Sequence, residues 1–203
     1  MSVAATIQAR TSSSSYDVSR TLSEAEIGDL IDLATQAPSA FNMQNWKFIA
    51  VHSSEAKARL LPLAYGQPKI VEAAVTFIVC GTLDQHLSMP AALAPTRDAG
   101  IIDQATYDGW VGAVSNMYGA NPVMQRDEAV RSASLAAMTL MLAAQEKGLV
   151  SCPMIGFDPV GVAAAFELAA TDVPVMLVTV GYTGPSNWPK KPRKAVEDVL
   201  AFV

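Results

Sequence analysis

An almost uninterrupted apolar segment in the second half of the chain constrains its fold most strongly. Leu135 to Ala144 contains one polar side chain, Thr139. The segment is too short to cross a bilayer as a helix, which needs about 20 apolar residues. Lys147-Gly148 follows it and supplies a cation for a helix C-terminus and a residue that accepts left-handed geometry. The pattern predicts a helix over 134–146 that is buried on nearly all sides by other elements.

An amphipathic helix is predicted in the N-terminal part of the chain. Ser23 and Glu26 form a capping box at its start, and Pro38 stops the pattern. Between these positions apolar residues recur at helical spacing, at Ile27, Leu30, Ile31 and Ala34.

Strands and a further helix are predicted elsewhere. Residues 46–51, 75–80 and 175–180 are rich in β-branched and aromatic side chains and predict strands. Asp158-Pro159 predicts the start of a helix that continues to Leu168. The chain has no repeated βαβ unit and no Gly-x-Gly-x-x-Gly turn, which argues against a Rossmann domain. We expect one α+β domain over 1–203, with a central mixed or antiparallel sheet flanked by helices.

Residues 82–130 show no clean period and form a variable excursion. Prolines and glycines punctuate it into short predicted helical pieces, at Pro90, Pro95, Gly100, Gly109 and Gly119. A long excursion of this kind often covers a site. Its larger side chains could stack on a bound molecule, although packing within the excursion is the more common role of such residues. They are Tyr107, Trp110, Met117 and Tyr118.

Composition excludes several classes of function. The formal charge of -5 argues against a nucleic-acid binder. Only 16% of the residues are charged, which favours an apolar surface covered by a second copy of the chain. His52 and His86 are the only histidines, so no metal site or hydrolase triad is expected. The N-terminus does not resemble a secretory signal, and Cys80 and Cys152 do not suggest a disulfide framework. We therefore expect a cytoplasmic protein without a membrane-spanning segment.

Four motifs occur in an order that resembles the FMN-dependent nitroreductase family. They are Arg10-Thr11-Ser12, the segment from Ala37-Pro38-Ser39 to Gln44-Asn45-Trp46, Gly156-Phe157-Asp158, and Lys191-Pro192-Arg193. The Pro-Ser-x-x-Asn-x-Gln-x-Trp pattern is the most specific of them. The resemblance extends over almost the whole chain and is weakest in the excursion.

The resemblance implies a flavin phosphate site made by both ends of the chain. Its residues would be Arg10, Thr11, Ser12, Ser14, Lys191 and Arg193. Guanidinium groups offer a planar fork to phosphate oxygens, and serine adds a neutral donor. Thr11 and Ser14 stand where basic residues are common in the family. A frayed tail and a solvated basic patch are the alternative reading of these two ends.

The flavin ring is expected to meet residues from the middle of the chain. By the resemblance, Lys69 would lie near N1 and the C2 carbonyl, where a cation stabilises the negative charge of the reduced ring. The backbone at Ile155 and Gly156 would face N5, and Gln67 would also contact the cofactor. A partner subunit would contribute Pro38, Ser39, Ala40 and Asn42, so the resemblance implies a homodimer with shared sites.

The implied activity is hydride transfer from NADH or NADPH through flavin N5 to a nitroaromatic, quinone or similar small acceptor. Donor and acceptor would use one face of the ring in turn, which gives a ping-pong mechanism. Two alternatives stay open. The chain could be a specialised flavoenzyme of the same fold with little use of nicotinamide, or a flavin-binding protein without turnover.

Overall fold

The computed structural model describes residues 2–203 as helices packed around one sheet. The helices are α1 (Val3–Ala9), α2 (Glu24–Ala34), α3 (Ser54–Leu63), α4 (Lys69–Glu72), α5 (Gln85–Asp98), α6 (Gln104–Tyr118), α7 (Pro122–Glu146) and α8 (Pro159–Ala165). The strands are β1 (Trp46–Val51), β2 (Val75–Thr82), β3 (Val150–Met154) and β4 (Asp172–Gly181). Short 3-10 turns lie at Ala40–Asn42 and Val196–Asp198.

The sheet is antiparallel throughout and confirms the predicted α+β class. Its strand order is β1-β2-β4-β3, so β2 and β4 are central and β3 lies at an edge. The central strands are rich in β-branched side chains, which pack well on both faces of a covered sheet. Strand β1 has the predicted bounds, whereas β2 and β4 extend beyond theirs.

Helices cover both faces of the sheet. On one face α2 and α7 pack against alternate strand residues, including Phe77 and Val178. On the other face α3, α4 and α8 pack against the residues between them, including Ile78 and Leu177. This alternation follows from the two-residue period of a strand, which sends successive side chains to opposite faces. A third apolar cluster joins α5 and α6 to Met43.

The long helix α7 differs from its prediction in length and in burial. It begins at Pro122, twelve residues before the predicted start at Ser134, and both end at Glu146. One side packs on the sheet, but Leu135 and Met138 on the other side are 41% and 37% exposed. The prediction of nearly complete burial is therefore wrong for the single chain, because the elements of residues 2–203 leave these two side chains partly exposed. Of the helices in residues 2–203, none is long and apolar enough to cross a membrane.

The excursion is more regular than predicted. Instead of short pieces it forms α5 and α6, of 14 and 15 residues, and its last part belongs to α7. Pro90 and Pro95 lie inside α5 and remove backbone donors. The helix persists because Met89 and Leu93 are buried against α6, and tertiary packing outweighs local propensity.

Several elements were not predicted from the sequence. Helices α1, α3 and α4 and strand β3 are short, and their apolar residues give little periodic signal over so few positions. Helix α8 ends at Ala165 instead of Leu168, because Glu167 adopts a positive φ of 52° that closes the helix.

Gly81 on β2 marks a close approach between the sheet and α7. A Cβ at this position would overlap the Ala129 carbonyl and lie 2.8 Å from the Ala129 Cβ. Backbone atoms cannot move away by a rotamer change, so Gly81→Ala should lower the free energy of unfolding by about 1–3 kcal/mol. Urea denaturation followed by circular dichroism measures this loss.

Gly28 on α2 provides the matched control. An added Cβ there has no atom within 4 Å. Because alanine is the better helix former, Gly28→Ala should raise the free energy of unfolding by about 0.5–1 kcal/mol. Equal effects of the two substitutions would contradict the close packing of β2 on α7.

Candidate functional site

The two ends of the chain meet beside the edge strand β3. After α1 the backbone runs extended, Ser12 forms a parallel bridge with Ser151, and the Ser13 N–H donates to the Ser151 carbonyl at 3.0 Å. Tyr16 then bridges Thr183 beyond the end of β4. Burial raises the pKa of Tyr16 well above its ordinary value, and its hydroxyl lies 2.7 Å from Thr179 Oγ1. These contacts hold the N-terminal segment on the sheet.

Asn187 fastens the C-terminal segment to the N-terminal one. Its Oδ1 accepts from the Ser14 and Ser15 N–H groups at 2.8 and 3.0 Å, and its Nδ2 donates to the Ser15 carbonyl at 2.9 Å. Lys190 Nζ donates to the carbonyls of Ile7 and Gln8, at the C-terminal end of α1, where a cation also complements the helix dipole. The tail therefore passes directly over residues 10–14.

A cavity of about 260 Å³ lies between these two segments. Its lining comes from the N-terminal segment (Thr11, Ser12, Ser13, Ser14), from α4 and β3 (Lys69, Cys152), and from the tail (Trp188, Pro189, Lys190, Lys191, Arg193). All the charged side chains in this set are basic, although the chain carries a formal charge of -5. Such a concentration of cations around a concave site attracts an anion.

Two buried polar atoms of the N-terminal segment have no hydrogen-bond partner among residues 2–203. They are Arg10 Nη1, directly before the first lining residue, and Ser13 Oγ. An unpaired buried donor costs free energy, and the cost is larger for a charged group. Phosphate oxygens accept from both guanidinium and hydroxyl groups, so these residues fit the phosphate of a nucleotide cofactor.

The other residues of the predicted phosphate site line the cavity, and three of them make contacts within the protein. The Ser14 hydroxyl donates to the Ser186 carbonyl at 3.3 Å. Arg193 Nη1 donates to the carbonyls of Lys191 and Pro192, and Lys191 Nζ lies 5.3 Å from the centre of the Trp188 ring. These exposed side chains can turn toward an anion without losing a buried contact.

The predicted ring-contacting residues divide into two groups. Lys69 lines the cavity, and its Nζ donates to Cys152 Sγ at 3.6 Å. Gln67 and Gly156 are adjacent to each other, since Gln67 Nε2 donates to the Gly156 carbonyl at 2.9 Å. Ile155 is 85% exposed, just beyond the end of β3. Gln67, Ile155 and Gly156 are not among the lining residues of the cavity.

The segment from Pro38 to Asn42 is not among the lining residues of this cavity. Its backbone is unusual, with positive φ at Phe41 (51°) and Asn42 (55°). Ser39 Oγ accepts from the Gln44 N–H at 2.9 Å and fixes this turn. Strained backbone of this kind is concentrated at functional sites. Within one chain, Pro38, Ser39, Ala40 and Asn42 are thus separate from the basic cavity.

The aromatic residues of the excursion have different roles. Tyr118 is buried and its hydroxyl donates to Glu128, while the Tyr107 hydroxyl donates to the Pro90 carbonyl. Both therefore pack within the excursion. Trp110 stays partly exposed and meets Phe41 edge to face, with ring centres 5.9 Å apart. This pair joins the excursion to the strained segment.

Sequence reasoning missed Ser13, Cys152 and Asn187 as site residues. Ser13 is only one member of a polar serine run. Cys152 has no cation beside it in sequence and is therefore not expected to be a nucleophile, whereas the structure brings Lys69 to it from 83 positions away. Asn187 follows Gly184, Pro185 and Ser186, a composition that predicts a turn and carries no sign of a partner 172 positions away.

Comparison with known proteins identifies the family. The model of the nitroreductase family matches residues 7–182. The chain belongs to the nitroreductase family. It is therefore an oxidoreductase of the nitroreductase type, and the resemblance seen in its motifs is confirmed.

Relatives of this nitroreductase cover nearly its whole length. YodC of Bacillus subtilis (strain 168), named as an NAD(P)H nitroreductase, is 38% identical over 175 residues, which are 86% of each chain. MhqN of the same organism, similarly named, is 31% identical over 199 residues, or 97% of each chain. A nitroreductase from Exiguobacterium sibiricum 255-15, solved in complex with FMN, superposes with a TM-score of 0.92 at 28% identity, covering 100% of this chain and 98% of its own.

Asn187 of this nitroreductase offers a direct test of how the two chain ends are held together. Asn187→Ala removes the acceptor of the Ser14 and Ser15 N–H groups, while the Ser15 carbonyl keeps the Gly184 N–H as a donor. The loss should reduce the local stability by about 1–3 kcal/mol. Amide hydrogen exchange at Ser14 and Ser15 should then become at least roughly tenfold faster.

Asn121→Ala serves as the matched control for this substitution. Asn121 Oδ1 accepts from the Met124 N–H and caps α7, so its loss should cost about 1 kcal/mol of stability. Exchange at Ser14 and Ser15 should stay unchanged in this variant. Unchanged exchange in Asn187→Ala would show that other contacts hold the tail.

Proposed function

We propose that this protein is an NAD(P)H-dependent FMN oxidoreductase that reduces nitroaromatic, quinone or similar small acceptors. The observation that carries the proposal is the basic cavity between the two chain ends, together with the unpaired Nη1 of Arg10, which precedes the first lining residue in sequence. Support comes from the relatives, since YodC is named as an NAD(P)H nitroreductase and the Exiguobacterium neighbour contains FMN.

The phosphate of FMN would be held by the N-terminal segment and the tail. Arg10 would supply the planar donor pair, and Ser12 and Ser14 would supply short neutral donors beside Thr11. Lys191 and Arg193 would close over the phosphate from the tail. This assignment satisfies Arg10 Nη1, which otherwise has no partner among residues 2–203.

The ring of FMN would extend from the phosphate toward Lys69, which lies on the same cavity. Lys69 would hold a fixed positive charge beside N1 and offset the negative charge that reduction adds there. Gln67, Ile155 and Gly156 would form the rim, where a backbone N–H can direct a hydrogen bond to N5. FMN, when bound, supplies hydride transfer between a nicotinamide and an acceptor that occupy one face of the ring in turn.

A homodimer would complete the site. Leu135 and Met138 form an exposed apolar side on α7, and further apolar residues are exposed at α1 and along the tail after residue 195. A second copy would bury this surface and bring its own Pro38, Ser39, Ala40 and Asn42 to the ring. The Phe41–Trp110 pair would arrive with this segment and border the acceptor position.

The visible spectrum of the purified protein tests the proposal. We expect flavin absorption, either as purified or after addition of FMN, bleaching by NADH or NADPH, and recovery with a quinone or nitro compound. Initial rates at varied donor and acceptor should give the parallel lines of a ping-pong mechanism. A colourless protein that takes up no added FMN would refute the proposal.

Two other outcomes would contradict the proposed activity and still support FMN as the cofactor. Reduction by dithionite and not by millimolar NADH or NADPH would identify a specialised flavoenzyme of the same fold. Retained FMN with no reduction of any tested quinone or nitro compound would identify a flavin-binding protein without turnover.

A further inference from the structure

The cavity contains a nucleophile that the proposed flavin chemistry does not use. Cys152 lies on β3, lines the cavity and is 6% exposed. Its Sγ is 3.6 Å from Lys69 Nζ, which donates to it. An ammonium group therefore lies in direct contact with this sulfur atom.

A second group in the same cavity indicates that this end of it receives a ligand. Ser13 lines the cavity, is 2% exposed, and its Oγ has no partner among the described residues. A carbonyl oxygen placed between Ser13 and Lys69 would accept from a hydroxyl and lie near an ammonium group. Nucleophile, hydroxyl donor and cation are thus assembled around one small space.

The other cysteine provides an internal comparison. Cys80 lies on β2, is fully buried and does not line the cavity. Desolvation by burial raises the pKa of its thiol to about 12. A reagent that distinguishes the two cysteines therefore reports on the surroundings of Cys152.

We propose that Cys152 is a modification site for small α,β-unsaturated carbonyl compounds, of which quinones are the type, and that it is open in the FMN-free protein and closed when FMN is bound. The closing by FMN rests on the proposed function, since it requires the flavin to occupy this cavity. The basic lining favours this class of electrophile because negative charge develops on a carbonyl oxygen during the addition.

The addition balances without any further reagent. Cys152 Sγ attacks a ring carbon β to a carbonyl, the S–C bond forms and the C=C π bond breaks. The electron pair moves to the carbonyl oxygen, which takes up the proton lost by the thiol. Loss of the ring proton from the attacked carbon to the second carbonyl oxygen then gives the aromatic thioether hydroquinone, so the quinone is reduced as the sulfur is arylated.

Whether FMN is bound would then determine how the protein reacts with a quinone. A ring attached to Cys152 fills space beside Lys69 and excludes FMN from the cavity. The loaded enzyme would reduce the quinone, whereas the FMN-free chain would be trapped by it.

The test uses the full-length wild-type protein, once after removal of FMN and once saturated with FMN. Each sample receives one equivalent of 1,4-benzoquinone without nicotinamide, and peptide mass spectrometry follows the adduct at each cysteine over time. In the FMN-free protein we expect Cys152 to be labelled at least roughly tenfold faster than Cys80. A tenfold difference in rate corresponds to the free energy of about one hydrogen bond to a charged group. FMN should slow labelling at Cys152 by a similar factor and leave Cys80 unchanged.

Two variants test whether Lys69 accelerates the labelling and whether the adduct at Cys152 blocks FMN binding. FMN-free Lys69→Met should label at Cys152 more slowly than wild type, again by about tenfold. Wild-type protein labelled beforehand should fail to bind added FMN, whereas FMN-free Cys152→Ser exposed to the same benzoquinone should still bind it. If Cys152→Ser binds no FMN even before exposure, the wild-type rates at the two cysteines decide the question by themselves.

The possible failures are distinguishable. Equal rates at Cys152 and Cys80 in a protein that binds FMN would overturn this inference and leave the proposed function intact. If labelling at Cys152 is fast and bound FMN does not slow it, the proposal that Cys152 and FMN share one cavity is overturned. Fast labelling at Cys152 in a protein that never binds FMN would confirm the reactive thiol, overturn its closing by FMN, and refute the proposed function.

Discussion

Arg10→Ala is expected to yield a folded protein that no longer retains FMN. Arg10 Nη1 is buried without a partner in residues 2–203, and removing this side chain breaks no protein contact of that atom. Hydrogen bonds to charged groups contribute about 1.5–3 kcal/mol each, so the dissociation constant for FMN should rise roughly 10- to 100-fold. Fluorescence titration with FMN measures this directly.

The stability of the FMN-free Arg10→Ala variant should equal or exceed that of the wild type, because the substitution removes a buried donor that has no partner among residues 2–203. Arg10→Lys should bind FMN with an intermediate affinity, since lysine keeps the charge and loses the planar fork. Arg59→Ala is the matched control, because the Arg59 guanidinium lies over the Phe166 ring and not at the cavity. Wild-type affinity in Arg10→Ala would remove this residue from the phosphate site.

The double variant Leu135→Glu with Met138→Glu is expected to be monomeric and colourless. Both side chains project from the uncovered side of α7, and burying an unpaired carboxylate in an interface costs several kcal/mol. If each 1.4 kcal/mol weakens association about tenfold, two such charges suffice to dissociate a dimer at micromolar concentration. Light scattering after size-exclusion chromatography gives the mass, and the visible spectrum gives the FMN content.

Val160→Glu is the control for this variant. Val160 is 78% exposed on α8, on the opposite face of the sheet from α7, and the substitution should leave both mass and colour unchanged. A double variant with the mass of two chains would contradict the proposed interface. A monomer with full FMN content would support the interface and contradict the contribution of Pro38 to Asn42 from the partner.

Local patterns predicted the elements that carry their own signals. The Ser23–Glu26 capping box forms as predicted, and β1 has its predicted bounds, because these depend on residues close together in sequence. Short elements without caps or a clear period, such as β3, were missed. The prolines of α5 misled the prediction, because burial of Met89 and Leu93 outweighs the loss of backbone donors.

The site shows the same division. Motif resemblance selected Arg10, Lys69, Lys191 and Arg193, and the structure places the last three on one cavity, whereas Arg10 is not among its lining residues. Motif resemblance could not select Asn187, because its role depends on hydrogen bonds to Ser14 and Ser15, which lie 173 and 172 positions away. Long-range hydrogen bonds leave no periodic trace in a sequence.

By itself the sequence determined the family, the α+β class and the residue types available to an anion, since these follow from motifs, local periodicity and composition. Only the tertiary structure decided that Asn187 holds the two chain ends together, that Cys152 lies against Lys69, and that Leu135 and Met138 on α7 stay partly exposed. The physical reason is that local propensity acts over a few neighbouring residues, whereas these three features depend on which distant surfaces the folded chain buries against each other.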